Sequence, residues 1–275
     1  MQTPSAYLTG HIAVPKEWQD IFDPFYYIIN QQQEAVTRIL SPTFQTILVF
    51  NFGAPAYIKP AAEQPLAIDN SLVIGPVKLA LEYTIPAQGQ MLVANFKQDA
   101  FYRFFGRHLQ TYTDFLLHPD ELQGDHCFAD VWQELKALPD MEQRVGSLLE
   151  FAAIYIQERD KDSEDIVNNS ENDSVINPVK EIADKRGQSE RNIQLKYKKY
   201  LGYSAKEMSR YQRFKKTLAR LQGKSSSTVD WFEMVYEGGY YDQSHLIRDF
   251  NHFLGLSPAQ YLKLQETVCI ACGRS

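Results

Sequence analysis

Between Ile193 and Ser257 the chain spells one structural unit twice. Ile193, Tyr197, Tyr200, Gly202 and Ser204 return as Leu246, Phe250, Phe253, Gly255 and Ser257, each pair 53 positions apart. Apolar residues at i, i+4 and i+7 describe a helix with one inward side. The Gly that follows ends that helix, and Ser257 before Pro258 can cap the next one. Five aligned positions of matching chemistry read as one supersecondary unit used twice.

The residues in front of each repeat complete a second helix. In the first unit Asn177-Pro178 fits an N-cap followed by Pro at the first helical position, and Val179, Ile182 and Ala183 make a short apolar face. Gly187 serves the turn, and Ser189 caps the following helix. In the second unit Trp231, Met234 and Val235 form the face, Gly238-Gly239 the turn and Asp242 the cap. Ser257-Pro258 then starts a further helix carrying Tyr261 and Leu262 inward. Helix, short Gly-containing turn, helix is the layout of a DNA-reading helix-turn-helix. Between the units Met208, Tyr211, Phe214, Leu218 and Leu221 form one stripe, which predicts a single connecting helix within Ser204–Gly223. Such a helix would hold two reading helices for major-groove segments about one turn, ~34 Å, apart.

Charge divides the chain in the same place. From Lys180 onward there are 17 Lys and Arg against 10 Asp and Glu; the preceding residues carry 11 against 24. From Lys196 to Lys224 there are ten basic residues and one acid, Glu207. Such a sign bias suits a polyanion and makes Lys198, Lys199, Arg210, Arg213, Lys215 and Lys216 candidate phosphate contacts.

The rest of the chain reads as a separate unit, so the expected fold class is α+β: a β-rich N-terminal domain over residues 1–157, a polar acidic linker over 158–175 and an all-α domain over 176–275. Glu158–Ser174 has only Ile166 and Val167 as apolar residues, which predicts a solvated linker. Thr46–Phe52 is an apolar run that fits a buried strand; Leu79, Leu81, Tyr83 and Ile85 alternate with Ala80, Glu82 and Thr84; Met91–Phe96 fits another strand. Gly75-Pro76 and Gln88-Gly89 supply turns. Val145, Leu148, Leu149, Ala152 and Ile156 form one side of a helix, to be packed within the domain or used as a dimer seam. The many aromatic residues of this half fit either core packing or the lining of a ligand pocket.

The string Gly238–Tyr261, GGYYDQSHLIRDFNHFLGLSPAQY, resembles the C-terminal signature of the AraC/XylS transcription regulators, with its spacing G-Y-x-D-Q-S-x-L-x-R-x-F-x-x-x-x-G-x-S-P-x-x-Y. Gly187–Gly202 resembles that family's other helix-turn-helix less closely. Together the resemblance spans about 100 residues. Phe50-Asn51-Phe52 and Val73-Ile74-Gly75-Pro76 resemble the β-rich N-terminal domain of one AraC-like subgroup. The resemblance implies that both units bind one face of double-stranded DNA while the N-terminal domain senses a small-molecule effector or forms a homodimer, with RNA polymerase a further candidate partner. It carries base contacts onto Arg191, Gln194 and Leu195 in the first unit and Gln243, Ser244, His245 and Arg248 in the second. Arg pairs bidentately with guanine and Gln with adenine, and Ser or His bonds either way. Two positions depart from the family pattern: Leu195 stands where Arg is usual, and Lys196 where an apolar residue is usual. A protein-interaction module with a degenerate helix-turn-helix is the alternative they motivate.

Other chemistry finds little support. No stretch approaches the roughly 18 apolar residues of a membrane span, and the first residues lack a secretory pattern. Three cysteines do not make a disulfide framework, so the cytoplasm is the expected compartment. Cys269-Ile270-Ala271-Cys272 supplies two of the about four ligands that zinc needs and reads as a loose tail. His118, His126 and Cys127 share no ligand spacing. No metal or cofactor is expected, and neither a P-loop nor a nucleophile elbow is present, so an enzyme is not expected.

Overall fold

The computed structural model describes residues 7–60, 64–108, 116–124, 126–170 and 177–269. It is an α+β chain whose N-terminal half builds two facing sheets. One sheet runs in the order β1 (Tyr7–Ile12), β2 (Phe25–Asn30), β9 (Gln90–Asn95), β4 (Ile47–Asn51), β7 (Ser71–Ile74) and β10 (Leu116–Leu117). The other runs β11 (Val268–Cys269), β3 (Val36–Leu40), β8 (Leu81–Ile85), β5 (Ala56–Lys59) and β6 (Leu66–Ile68). Alternate residues of β4 serve two cores. Ile47 and Val49 point between the sheets, toward Ile58, Tyr83 and Ile85. Leu48 and Phe50 point outward, under α1 (Ala100–Phe105), α2 (Pro119–Gln123), α3 (Cys127–Ala137) and α4 (Met141–Tyr155). A strand covered on both faces must be apolar throughout, which is the reason for the uninterrupted run. β8 has one covered face and alternates accordingly.

The stripe on α4 belongs to this outer core: Val145, Leu148, Leu149 and Ala152 are buried against the domain's own aromatic residues, and Ile156 packs beside them. The stripe is therefore internal, and the dimer-seam alternative loses its surface.

The acidic segment corrects an expectation. Within the expected linker, Lys161–Ser170 is a helix, α5, with Ile166 and Val167 buried. It packs on α6 (Pro178–Arg186) and α7 (Glu190–Leu201). Its charges find partners on both sides. Arg159 pairs with the buried Asp99 at 2.9 Å and with Asp20 at 3.0 Å. Tyr200 donates its hydroxyl to Asp160 at 2.9 Å, Asp162 meets Lys196 at 2.8 Å, and Asp165 meets Lys185 at 3.4 Å and also Arg186. Composition treats such charges as solvated; here residues distant in sequence neutralise them.

The C-terminal domain comprises α6 and α7, then α8 (Ala205–Leu221), α9 (Trp231–Glu237), α10 (Gln243–Leu254) and α11 (Pro258–Leu264). The caps read from the sequence are present, and Ser204 adds another. Asn177, Ser189 and Asp242 accept from Lys180, Asn192 and His245 backbone N–H groups, and Ser204 and Ser257 form capping boxes with Glu207 and Gln260. Ile193, Tyr197, Tyr200, Phe214, Leu246, Phe250, Phe253 and Tyr261 share one core, so both repeats lean on α8 and on each other's surroundings.

The N-terminal domain enters that same core. Phe44 stacks on Tyr211 at 4.2 Å and lies 5.3 Å from Tyr203 and 6.1 Å from Phe253. Tyr211 donates its hydroxyl to Pro42 O at 2.8 Å, and Ala80 N–H donates to Phe253 O at 2.8 Å. Tyr102 meets the ring of Tyr200 edge-on at 5.0 Å. The expected loose tail is likewise corrected: β11 pairs in parallel with β3, so an open sheet edge draws in the chain end as far as Cys269. Ile270 to Cys272, the remainder of the CxxC, lies outside the described residues.

Candidate nucleic-acid interface

Both α7 and α10 turn an apolar side to the common core and leave a largely polar side exposed. On α7 the exposed positions Arg191, Gln194, Leu195 and Lys198 stand at i, i+3, i+4 and i+7, one continuous face. On α10 the corresponding positions, 53 residues on, are Ser244, Ile247, Arg248 and Asn251. Ser244, Arg248 and Asn251 are exposed and Ile247 is half-buried. The duplicated sequence thus presents a duplicated face. Gln243 is exposed at the first turn of α10, beside this face. Arg248 lies along its own helix, donating from Nε to Ser244 O at 3.2 Å.

Four residues expected at the DNA, Lys199, Arg210, Arg213 and His245, have partners within the chain. Asp249 is 1% exposed. A buried carboxylate requires counter-charge, and Arg210 supplies it at 2.7 Å and Arg213 at 3.6 Å. Arg210 also lies over the Phe253 ring and Arg213 over the Tyr240 ring. Both arginines of the expected phosphate set thus have partners within the domain. Lys199 lies over the rings of Tyr102 and Tyr200, where a cation gains from the aromatic faces, so it sits at the contact between domains. His245 is half-buried on the side of α10 that faces α8, with Arg213 Nη2 at 3.4 Å and Tyr240 edge-on at 5.2 Å. Lys198, Lys215 and Lys216 are exposed, as phosphate contacts must be.

The two departures in the first unit have distinct outcomes. Leu195 is 51% exposed in the middle of the open face of α7. Lys196 is polar because α5 lies beside it: it pairs with Asp162 and donates to Gln188 Oε1 at 2.8 Å. Residue reading missed Ile247 and Asn251, which the 53-residue offset alone assigns. It also missed Tyr241, 92% exposed just before the cap of α10.

Residues 182–264 match the family model described as "Helix-turn-helix domain". The C-terminal helices are thus similar to a helix-turn-helix domain. No curated protein matches the chain significantly. Among solved structures, ToxT from Vibrio cholerae is similar at 11% identity and a TM-score of 0.42, over 94% of this chain and 99% of that one. ToxT solved with an unsaturated fatty acid gives 10% identity and 0.39, over 95% and 96%. The ribosomal oxygenase YcfD from Escherichia coli gives 11% and 0.23, over 56% and 44%. Likeness at that level carries no argument about this chain's ligands or partners. Among the described residues, no helix is long and apolar enough to cross a membrane.

Proposed function

We propose that the chain is a sequence-specific transcription regulator of the cytoplasm, which lays α7 and α10 into successive major-groove segments of double-stranded DNA and performs no catalysis. One observation carries this reading: the exposed faces of α7 and α10 occupy equivalent helical positions over one shared core. Arg191, Gln194 and Leu195 read the first segment, and Gln243, Ser244, Ile247, Arg248 and Asn251 the second, with Lys198 on a phosphate. Lys215 and Lys216 hold phosphates. The N-terminal domain governs the pair, by binding a small-molecule effector or by pairing two copies, and the bound protein acts on RNA polymerase. Support for that control is the packing of Phe44 and Tyr102 directly against the helix-turn-helix residues. Selection of bound sequences from a random pool tests the reading. The expected result is a bipartite motif whose halves lie one helical turn apart; recovery of unenriched sequence would refute it. Exposed Leu195 favours one variation, in which the first unit discriminates weakly and the first half-motif is rich in thymine.

A further inference from the structure

Within the second unit, the side of α10 that meets α8 is as specific in its chemistry as the side left open. Asp249 and His245 stand four residues apart on that side. Arg213 touches both, its guanidinium 3.6 Å from Asp249 Oδ2 and 3.4 Å from His245 Nε2. The Tyr240 ring lies 5.2 Å from Arg213 and also meets His245. Arg210 holds the other oxygen of Asp249 from one turn earlier on α8. A buried carboxylate hydrogen-bonded by Arg210 on one oxygen and attracted by the Arg213 charge beside the other, both from one helix, resists rotation of the helix that carries it. Leu246, Phe250 and Phe253 alone would tolerate small rotations, since apolar contact is not directional.

We infer that Asp249, Arg210 and Arg213 form a latch that sets the rotation of α10, so that these three positioning residues determine base preference without touching a base. The inference rests on the DNA-reading role proposed above. It has one consequence that needs no DNA. A guanidinium can only donate, so His245 Nε2 accepts from Arg213 and the imidazole proton sits on Nδ1.

Two measurements on the full chain test the latch. Long-range nitrogen-15 spectra of the protein without DNA report the tautomer. The Nδ1–H form is expected for His245, changing in Arg213→Gln; an Nε2–H form in the unaltered protein overturns the latch whether or not the chain binds DNA. Sequence selection is the second measurement. Arg213→Gln leaves the Arg210–Asp249 pair in place, so the variant keeps its main buried ion pair. It is expected to lose about tenfold in preference at the half-motif read by α10, the scale of one good base contact. Preference at the other half-motif and affinity for random DNA should be retained. Equal loss on selected and random DNA would make Arg213 a phosphate contact and overturn the latch, as would an unchanged motif. Arg210→Lys, which keeps the charge but not the fork, should relax the same half-motif. If the unaltered chain enriches no motif, the regulator reading fails while the tautomer still judges the latch.

Discussion

Phe44 has φ 58, a left-handed backbone that a bulky residue seldom adopts and that costs on the order of 1–3 kcal/mol. That conformation accompanies a ring set among Tyr203, Tyr211 and Phe253, so local cost is offset by aromatic burial. At the same scale, a residue's exposure separates reading from holding. Arg248 is exposed, and Arg248→Ala should cost about 1–3 kcal/mol on the selected site and relax preference at one base pair; competition against single-base variants of that site measures it. Phe250 is wholly buried, and Phe250→Ala should lose roughly 3–5 kcal/mol in denaturant unfolding, as for an emptied core aromatic. An unchanged midpoint would show that the inward side of α10 has been misassigned.

Among the elements, α5 illustrates how charge becomes structure. Burial by itself would raise the Asp165 pKa, but hydrogen bonds from Arg186 and Lys185 outweigh it and hold the carboxyl below its ordinary range. A folded-state pKa below the unfolded one stabilises at pH above the unfolded value, and that stabilisation is lost as pH falls through the folded value. Acid should therefore loosen α5 from α6. Unfolding free energy followed downward from neutral pH should fall more steeply for the unaltered chain than for Asp165→Asn. The repeat was legible at this scale because caps and apolar spacing are local: Asn177, Ser189, Ser204, Asp242 and Ser257 each cap the helix that the sequence predicts. The helicity of α5 was not legible, because Asp162, Asp165 and Arg159 look solvated until Lys196, Arg186 and Asp99 are brought beside them. The partners of Arg210 and Arg213 were not legible for a similar reason. Nothing near Arg210 or Arg213 in sequence announces a buried carboxylate at position 249.

For the whole molecule, the two domains share a core rather than a tether. Phe44→Ala should weaken that sharing, and thermal unfolding of the variant should separate toward two transitions where the unaltered chain shows one. DNA affinity should fall with salt at a log–log slope of about −0.9 per phosphate neutralised. Since Lys199, Arg210 and Arg213 are engaged internally, neutral substitutions at Lys215 and Lys216 should reduce that slope by about one phosphate each, measured by fluorescence anisotropy.

What the linear order of residues determined by itself was the duplication, its caps and the buried strands, because hydrogen bonding and apolar periodicity act over a few residues. Only the three-dimensional arrangement decided which exposed-looking charges are free to meet a phosphate, where the acidic segment folds and how Phe44 joins the domains. Those outcomes turn on the pairing of charges and rings far apart in the chain, and the electrostatic cost of burying a charge depends on which partner the fold delivers.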